Sequence, residues 1–558
     1  MEKTKIKYKA QLSAALKEHP YLCAAAYCIA LEAFTLGDEK NISAQSVMIA
    51  SVLFAAALYF LLGRLAGKFR IPAAFGCAVV AALWGVCFVH IERKGGTVAA
   101  LTAAAAAAFA IYLYKTKKFT PDNARRLIIF LSFGLYSAYV LYTLSYMRQT
   151  DVSYWNSQGG HAPYIKYYYE HYFMLPDFDP REVWQFYHTP LFYYICAAAL
   201  RAVTVFGVDF EQATEVTQIV TLFSAMSIVI TSEKIFRIFG LKDLSLTIAV
   251  GIAAMSNTIL MLSGSISNDV TAAAFEIAAL YLALKWYESR SMKGILFCAL
   301  CMGLGLMSKL SAWMAAPPIA FIFILAFIRD IRSKKLSCRI FGQFGAFLGV
   351  SVPLGMWFPV YNLVRWGVPL GFIPQGGINM FVGEHSIPER LFTASPAALS
   401  TPFMLPKNYL EEYNPIVALM KSSADLQRLG SYETLAPLLS ATIIITSVIA
   451  AASLVCMFIC PFAKKRVCRR EYDIFMLIFY LVTVGSYIVF CIKYPYTCTE
   501  NVRYVIPMVS VGALYFGRIF SFEVKNDQTA KLIKTGGAVL TAFYGVLFVF
   551  TFVLLGFD

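Results

Sequence analysis

Charged residues are scarce in this chain: Asp, Glu, Lys and Arg make up only 15% of its 558 residues, whereas soluble domains carry about 25%. Hydrophobic residues make up 59%, and the mean hydropathy is +0.63. A soluble fold cannot bury so much apolar surface. The composition therefore excludes a soluble globular protein and indicates an all-α, polytopic integral membrane protein.

The sequence also lacks the usual signatures of soluble enzymes. It has no P-loop, no dinucleotide-binding fingerprint and no G-x-S-x-G elbow in a suitable context. The histidine spacing fits no metal-binding pattern, and no C-x-x-C pair lies outside an apolar run. We therefore expect no cofactor, and a divalent metal is not indicated. Cys491 and Cys498 flank one loop, and we favour two free thiols there over a disulfide.

Apolar runs of the length that a bilayer core requires, about 17–25 residues, recur from end to end. We predict about fifteen spans, at 20–36, 44–63, 71–90, 97–114, 126–147, 214–236, 243–263, 270–287, 293–310, 311–329, 339–363, 436–460, 472–492, 504–520 and 535–556. Two longer segments, 148–213 and 364–435, separate groups of spans.

The distribution of basic residues predicts the orientation. Met1 to Pro20 is lysine-rich and has no small-residue cleavage site, which is typical of a cytoplasmic tail. With that tail inside, the short inner segments hold 33 of the 48 Lys and Arg residues, as the positive-inside rule requires. The net charge of +15 is therefore a topology signal. No basic patch is interleaved with stacking aromatics, so no nucleic-acid partner is expected.

The run from Pro190 to Phe206 is apolar enough to look like a span. If it crossed, every later loop would invert and the basic clusters at 329–339 and 464–470 would face outward. We therefore predict a helix lying in the outer membrane interface, where Tyr193, Tyr194 and Arg201 are well suited.

Both long segments then lie outside the cytoplasm. The first contains DVSYWNSQGGHAPYIKYYYEHYFMLPDFDPREVWQFYHTPLFYY and is dense in Tyr, His and acids. The second, residues 364–435, is rich in Pro and Gly and predicts an irregular cap with one or two short helices.

Two acids are candidates for chemistry. Asp151 follows the predicted span 126–147 by a few residues, and a partly desolvated carboxylate there is suited to general-base work. The alternative is a solvated acid at a helix end, which composition alone favours. Asp269 opens a later span in SNDVTAAAFEIAAL, where capping of the helix dipole, worth about 0.3–1 kcal/mol, explains it as well as an active-site role does.

Two cations lie at outer span ends. Lys309 interrupts two apolar runs in GLMSKLSAW, and Arg503 starts a span in CTENVRYVIP. A charge at that depth is costly unless it has a partner, and a phosphate suits Arg because the guanidinium grips it in a bidentate way. Snorkelling to the interface is an equal alternative for Lys309 and a weaker one for Arg503.

These residues occur in a familiar order. A span is followed by Asp151, GGHAPYIKYYYE, QFYHTPLFYY, SNDVTAAAFEIAALYLALKWY, MGLGLMSKLSAW and finally RYVIP. This set resembles the C-type glycosyltransferases (GT-C superfamily), in particular bacterial members similar to protein O-mannosyltransferases and aminoarabinose transferases. The resemblance covers about residues 126–330 and 503–507. One departure is Thr189, which stands in HTPL where the family often has a second proline.

The resemblance implies a function. The donor would be a sugar on a polyprenyl phosphate, and the acceptor a cell-envelope glycan, lipid or protein reached outside the bacterial plasma membrane. Asp151 would be the base, the anomeric configuration would invert, and Arg503 and Lys309 would hold the lipid phosphate. The other residues implied at the substrate site are His161, Tyr164, Glu170, His188 and Asp269, of which Asp269 and then Glu170 are the next candidates for the base.

The same reading divides the chain into four parts. Residues 1–125 form a cytoplasmic tail and four-span extension, 126–363 the catalytic core, 364–435 the outer cap and 436–558 the last four spans. Two alternatives share this topology: a lipid-linked glycan polymerase or ligase, and a transporter or flippase without covalent chemistry. A transporter is expected to carry charges near the midplane and two similar halves, neither of which the sequence shows.

Overall fold

A computed structural model describes most of the chain. The described residues are 21, 24–25, 27–29, 31, 94–143, 152–205, 207–334, 338–404, 411–425, 433–463, 467–522 and 526–555. Helices dominate these residues, and the extended pairing among them is one isolated bridge between Phe381 and Tyr496. The all-α prediction is thus confirmed.

Nine helices in the described part of the chain are long and apolar enough to cross a membrane, and they confirm the prediction of a multi-pass membrane protein. They are Gly95–Lys115, Pro121–Tyr142, Phe210–Ile238, Asn268–Ser289, Leu310–Arg332, Cys338–Trp366, Glu433–Phe462, Arg470–Lys493 and Asp527–Leu555. A tenth candidate is the pair Asp243–Ala254 and Asn257–Ser263, which is bent by 49°. Each predicted span from 97–114 onward overlaps described helical segments, and the predicted span 243–263 is the bent pair of helices.

The predicted total of about fifteen spans is not confirmed. The predicted spans 44–63 and 71–90, and all but seven residues of 20–36, lie outside the described residues. Two other predicted spans are short helices, Met292–Ser308 and Pro507–Ile519. At a rise of about 1.5 Å per residue they extend about 25 and about 20 Å, less than the hydrocarbon core of about 30 Å.

The predicted interfacial helix forms as Leu191–Thr204. Its 14 residues extend about 21 Å, too little for a single crossing. Phe192, Tyr193 and Cys196 are buried on one face, and the guanidinium of Arg201 lies over the ring of Tyr172, 4.0 Å from its centroid. Its orientation relative to the bilayer remains a prediction.

The described residues of the cap, within 364–435, include three short helices, Ile387–Phe392, Pro396–Ser400 and Pro415–Ala424, whereas the sequence indicated one or two. It is bonded to the segment that follows the helix Arg470–Lys493. The amide of Val382 donates to Pro495 O at 2.9 Å, and the amide of Val502 donates to Ser422 Oγ at 2.9 Å. The cap is therefore fastened to the chain that leads into Arg503.

Buried ion pairs hold the cap in place. Arg390 contacts Glu500 at 2.6 Å, and Lys421 contacts Glu412, with all four side chains almost inaccessible. Burial raises the pKa of Glu500 to about 7, although Arg390 opposes this shift. Nearby, Cys491 and Cys498 are not joined by a disulfide.

The two ends of the bundle differ. Lys117 lies in the turn before the helix Pro121–Tyr142. At the far end of that helix, Gln218 donates to Thr143 O and to Gly264 O at 2.8 and 2.6 Å, close to the start of Asn268–Ser289. The cap covers this second end, because Asn257 donates to Ala424 O at 3.3 Å.

We predict that the cap end faces away from the cytoplasm. A single cysteine replacing His385 in the cap should react with a membrane-impermeant maleimide in intact cells, whereas one replacing Lys117 should react only after permeabilisation. The reason is the basic-residue bias, which places the Lys117 end inside. Labelling of both positions from the same side would show that the number of spans between them is wrong.

Candidate active site

A polar cavity of about 340 Å³ lies at the cap end of the bundle. It is lined by His161, Gln185, Tyr187, His188, Thr189, Asp269, Lys309, Leu310, Ser311, Trp313, Met314, Gly371, Phe372, Ile373, Ser486, Tyr487, Phe490, Arg503 and Tyr504. The segment 152–213, the cap and four helical segments contribute to it. Residues that are more than 300 positions apart in the chain thus share one site.

Lys309 and Asp269 form an ion pair on the cavity wall. The helix Met292–Ser308 ends where Lys309 adopts an extended backbone (φ −159°, ψ 134°). The Lys309 side chain leaves the helix there and reaches the start of the preceding span, Asn268–Ser289. Ser267 caps that span and also donates to Asp269 Oδ2 at 2.9 Å. Asp269 is thus held by Lys309, by the N-cap residue Ser267 and by the positive end of the dipole of its own helix.

Arg503 lies in the short turn Val502–Val505 that precedes Pro507–Ile519. Asn501 caps this turn by accepting from the Arg503 amide at 3.0 Å. The guanidinium donates to the Tyr504 hydroxyl at 3.1 Å, and Lys309 Nζ lies 5.0 Å from the centroid of the same tyrosine ring. Tyr504 therefore keeps the two cations on one side of the cavity without neutralising either.

His161 and His188 form another part of the cavity wall. Their rings are stacked with centroids 5.9 Å apart, and His161 Nδ1 is 2.8 Å from the Tyr193 hydroxyl. Burial, and then the charges of Lys309, His161 and Arg503, hold the pKa of His188 well below its ordinary value. His188 is consequently neutral at physiological pH and can accept or donate one hydrogen bond.

Tyr164 lies behind this wall and does not line the cavity. Its hydroxyl donates to His188 O at 3.2 Å and is 3.0 Å from the hydroxyl of Tyr168. Its ring stacks on Phe186 with centroids 4.2 Å apart. Tyr164 thus supports the backbone that carries His188 instead of contacting a ligand itself.

The structure therefore brings together five of the eight residues that the sequence singled out: His161, His188, Asp269, Lys309 and Arg503. Glu170 does not join them. It ends the helix His161–Glu170, is half-exposed, and faces Lys166 at 3.6 Å. Asp151 lies outside the described residues.

Sequence reasoning missed much of the lining, above all the aromatic side chains Tyr187, Trp313, Phe372, Tyr487, Phe490 and Tyr504. Tyr504 was detectable as the neighbour of Arg503, whereas nothing local marks the others. It also overlooked Glu276, a buried acid two turns below Asp269 within the same span. Glu276 Oε1 has no hydrogen-bond partner among the described residues, and a carboxyl inside an apolar run was the available signal.

The charges in the cavity favour an anion. Two cations face one carboxylate and the neutral His188, which leaves an excess positive charge beside aromatic walls. A low-dielectric site of this kind strengthens binding of a phosphate or carboxylate. The described part of the chain contains no group of three or more His, Cys, Asp or Glu side chains placed to share a metal ion.

Residues 187–357 match the family model described as dolichyl-phosphate-mannose-protein mannosyltransferase. The match includes His188, Asp269 and Lys309 and confirms the resemblance seen in the sequence. Comparison with curated proteins gives no match.

Solved structures similar to this chain include the following three. ArnT from Cupriavidus metallidurans in the apo state is 12% identical, with 75% of each chain covered and a TM-score of 0.43. The same protein bound to undecaprenyl phosphate is 14% identical, with 76% of each chain covered and a TM-score of 0.41. The archaeal oligosaccharyltransferase AglB from Archaeoglobus fulgidus is 14% identical, with 77% of this chain and 56% of that chain covered and a TM-score of 0.42.

We predict that removing only one partner of the buried ion pair between Lys309 and Asp269 lowers the stability of the protein more than removing both partners does. Lys309→Met should lower stability by about 3–5 kcal/mol, because it leaves the Asp269 carboxylate buried without its cation. The double variant Lys309→Met/Asp269→Asn should recover a large part of that loss. Thermal unfolding of the detergent-purified proteins measures their order of stability. A double variant that is no more stable than Lys309→Met would contradict the pairing.

Proposed function

We propose that this protein is a membrane glycosyltransferase that moves a sugar from a polyprenyl-phosphate donor to an acceptor outside the cytoplasm. The observation that carries the proposal is the convergence of Lys309 and Arg503 on one cavity at the cap end. The matched family is named for a dolichyl-phosphate-linked mannose donor, a ligand of the same chemistry: a sugar, a phosphate and a polyprenyl chain. The localisation proposed is the bacterial plasma membrane, with the cytoplasmic tail inside.

The two cations act on the leaving group. As the bond between the anomeric carbon and the phosphate oxygen breaks, negative charge grows on the polyprenyl phosphate. Lys309 and Arg503 are placed to stabilise that charge before it forms, which is how preorganised donors lower a barrier. Asp269 keeps Lys309 in position and is therefore better suited to orient the cation than to take a proton.

The new bond forms between an acceptor hydroxyl or amine and the anomeric carbon, and the acceptor proton passes to a base. We assign this base to Asp151. What supports the assignment is the chain directly after it: Val152 O accepts from the Ala162 amide at 3.0 Å, next to His161 on the cavity wall. A single displacement of this kind inverts the anomeric configuration.

The histidine wall and the aromatic side chains are proposed to hold the sugar and the acceptor. A neutral His188 can bond a sugar hydroxyl without opposing the cations, and aromatic faces such as Trp313 pack against the apolar face of a sugar ring. The polymerase or ligase alternative would need room for a long glycan, whereas a cavity of about 340 Å³ is small for that. The transporter alternative is disfavoured because the cavity lies at one end of the bundle.

We predict that Arg503→Ala weakens donor use far more than it weakens folding, because the lost partner is a ligand. Arg503→Lys should restore only part of the activity, since an ammonium is a point charge without the planar fork. Turnover and donor affinity are measured with purified protein and a panel of polyprenyl-phosphate sugars, by release of polyprenyl phosphate. Unchanged values for Arg503→Ala would remove Arg503 from the site.

We predict that Asp151→Asn abolishes transfer while expression, membrane insertion and donor binding stay close to wild type. The amide keeps the size but loses the basic lone pair, and a general base contributes about 10² to 10⁴ in rate. The same release assay measures the loss.

Asp177→Asn and Asp179→Asn are the matched controls for this substitution. Asp177 contacts Arg365 and Asp179 contacts Arg181 at 2.5 Å, both at the surface, so both variants should stay active. If Asp151→Asn keeps more than about a tenth of the activity, well inside what a base should cost, the base lies elsewhere, with Asp269 and then Glu170 as the next positions to change.

A further inference from the structure

A second cavity lies at the other end of the bundle. It measures about 550 Å³ and is lined by Phe321, Leu325, Cys468, Arg469, Arg470, Glu471 and Ile474. The helix Arg470–Lys493 begins at this cavity and carries Ser486, Tyr487 and Phe490 into the polar cavity. Arg470 and Tyr487 are separated by about 26 Å along that helix, so the two cavities are distinct sites.

The second cavity has an apolar half and a cationic half. Phe321, Leu325 and Ile474 form an apolar half between two membrane-length helices, Leu310–Arg332 and Arg470–Lys493. Arg469 and Arg470 form a cationic half where the second of these helices begins. A ligand that fills the cavity must therefore combine an apolar chain with an anionic group.

The two arginines are available for such a ligand. Both are exposed, and neither forms an ion pair with any residue that the structure describes. Arg469 stands at the N-cap of the helix Arg470–Lys493 without a side-chain cap bond, so the first-turn amides and the positive end of the helix dipole add to the positive charge at this end of the helix. Glu471 on the same wall offsets only part of this charge.

We propose that this cavity binds an anionic glycerophospholipid of the inner leaflet. The phosphate would lie on Arg469 and Arg470, and an acyl chain would run along Phe321, Leu325 and Ile474. Two features favour a lipid over a soluble anion. The apolar half is formed by side chains of two membrane-length helices, and the basic-residue bias places this end at the cytoplasmic surface, where anionic lipids attract Lys and Arg.

The site has a consequence for the bundle. A lipid held there braces the first turn of the helix whose last turns line the polar cavity. The proposal does not rest on the glycosyltransferase assignment, because binding at Arg469 and Arg470 is measured without any sugar substrate.

The test uses the full chain in nanodiscs of phosphatidylcholine, with phosphatidylglycerol of the same acyl chains as the probe and bound lipid counted by native mass spectrometry. Loss of two surface charges should weaken phosphatidylglycerol binding about thirty-fold in Arg469→Gln/Arg470→Gln, at about 1 kcal/mol per residue. Lys531→Gln/Lys534→Gln removes two charges from exposed positions outside the cavity and should bind as wild type does.

Three outcomes would overturn the proposal. Equal losses in the two double variants would mean that the lipid responds only to overall charge. Unchanged binding in Arg469→Gln/Arg470→Gln would remove the arginines from the site. Inorganic phosphate that displaces phosphatidylglycerol at equal concentration would identify a soluble-anion site, because a lipid also gains from its acyl chain. Circular dichroism and a thermal midpoint near that of wild type confirm that each variant is folded.

Discussion

The ion pair between Lys309 and Asp269 is the contact on which the site depends. A cation that is buried inside a membrane protein is costly without a partner, and the partner of the largely buried Lys309 begins a neighbouring span. Pairing requires the helix Met292–Ser308 to stop short and the chain to turn at Lys309. That early stop leaves the space beneath the cap that becomes the polar cavity.

Arg503 reaches the same space by a different route. It lies on a short turn after a loop, and that loop is fastened to the cap by the buried pair of Arg390 and Glu500. Breaking a buried pair leaves an uncompensated charge, so the cap and the Arg503 turn behave as one unit. The cap is therefore part of the anion site as well as its cover.

The helix Arg470–Lys493 joins the two ends of the molecule. Its first turn borders the arginine-lined cavity and its last turns carry Tyr487 and Phe490 to the polar cavity. One continuous helix therefore borders both cavities, and a ligand bound in either cavity contacts the same helix.

The sequence by itself determined the class of the protein, the positions of most helices and the location of Asp269, Lys309 and Arg503 at the ends of spans. The reason is that the thickness of a bilayer sets the length of an apolar span and that a charge inside the bilayer is energetically costly. The sequence also shows that the loop with His161 and His188 precedes those three residues along the chain. Only the tertiary structure decided that these groups share one cavity, that Tyr164 stands behind it and Glu170 outside it, and that six aromatic side chains complete the wall. Those choices depend on where helices stop and how a Pro- and Gly-rich cap folds over them, and such long-range packing leaves no periodic signal along the chain.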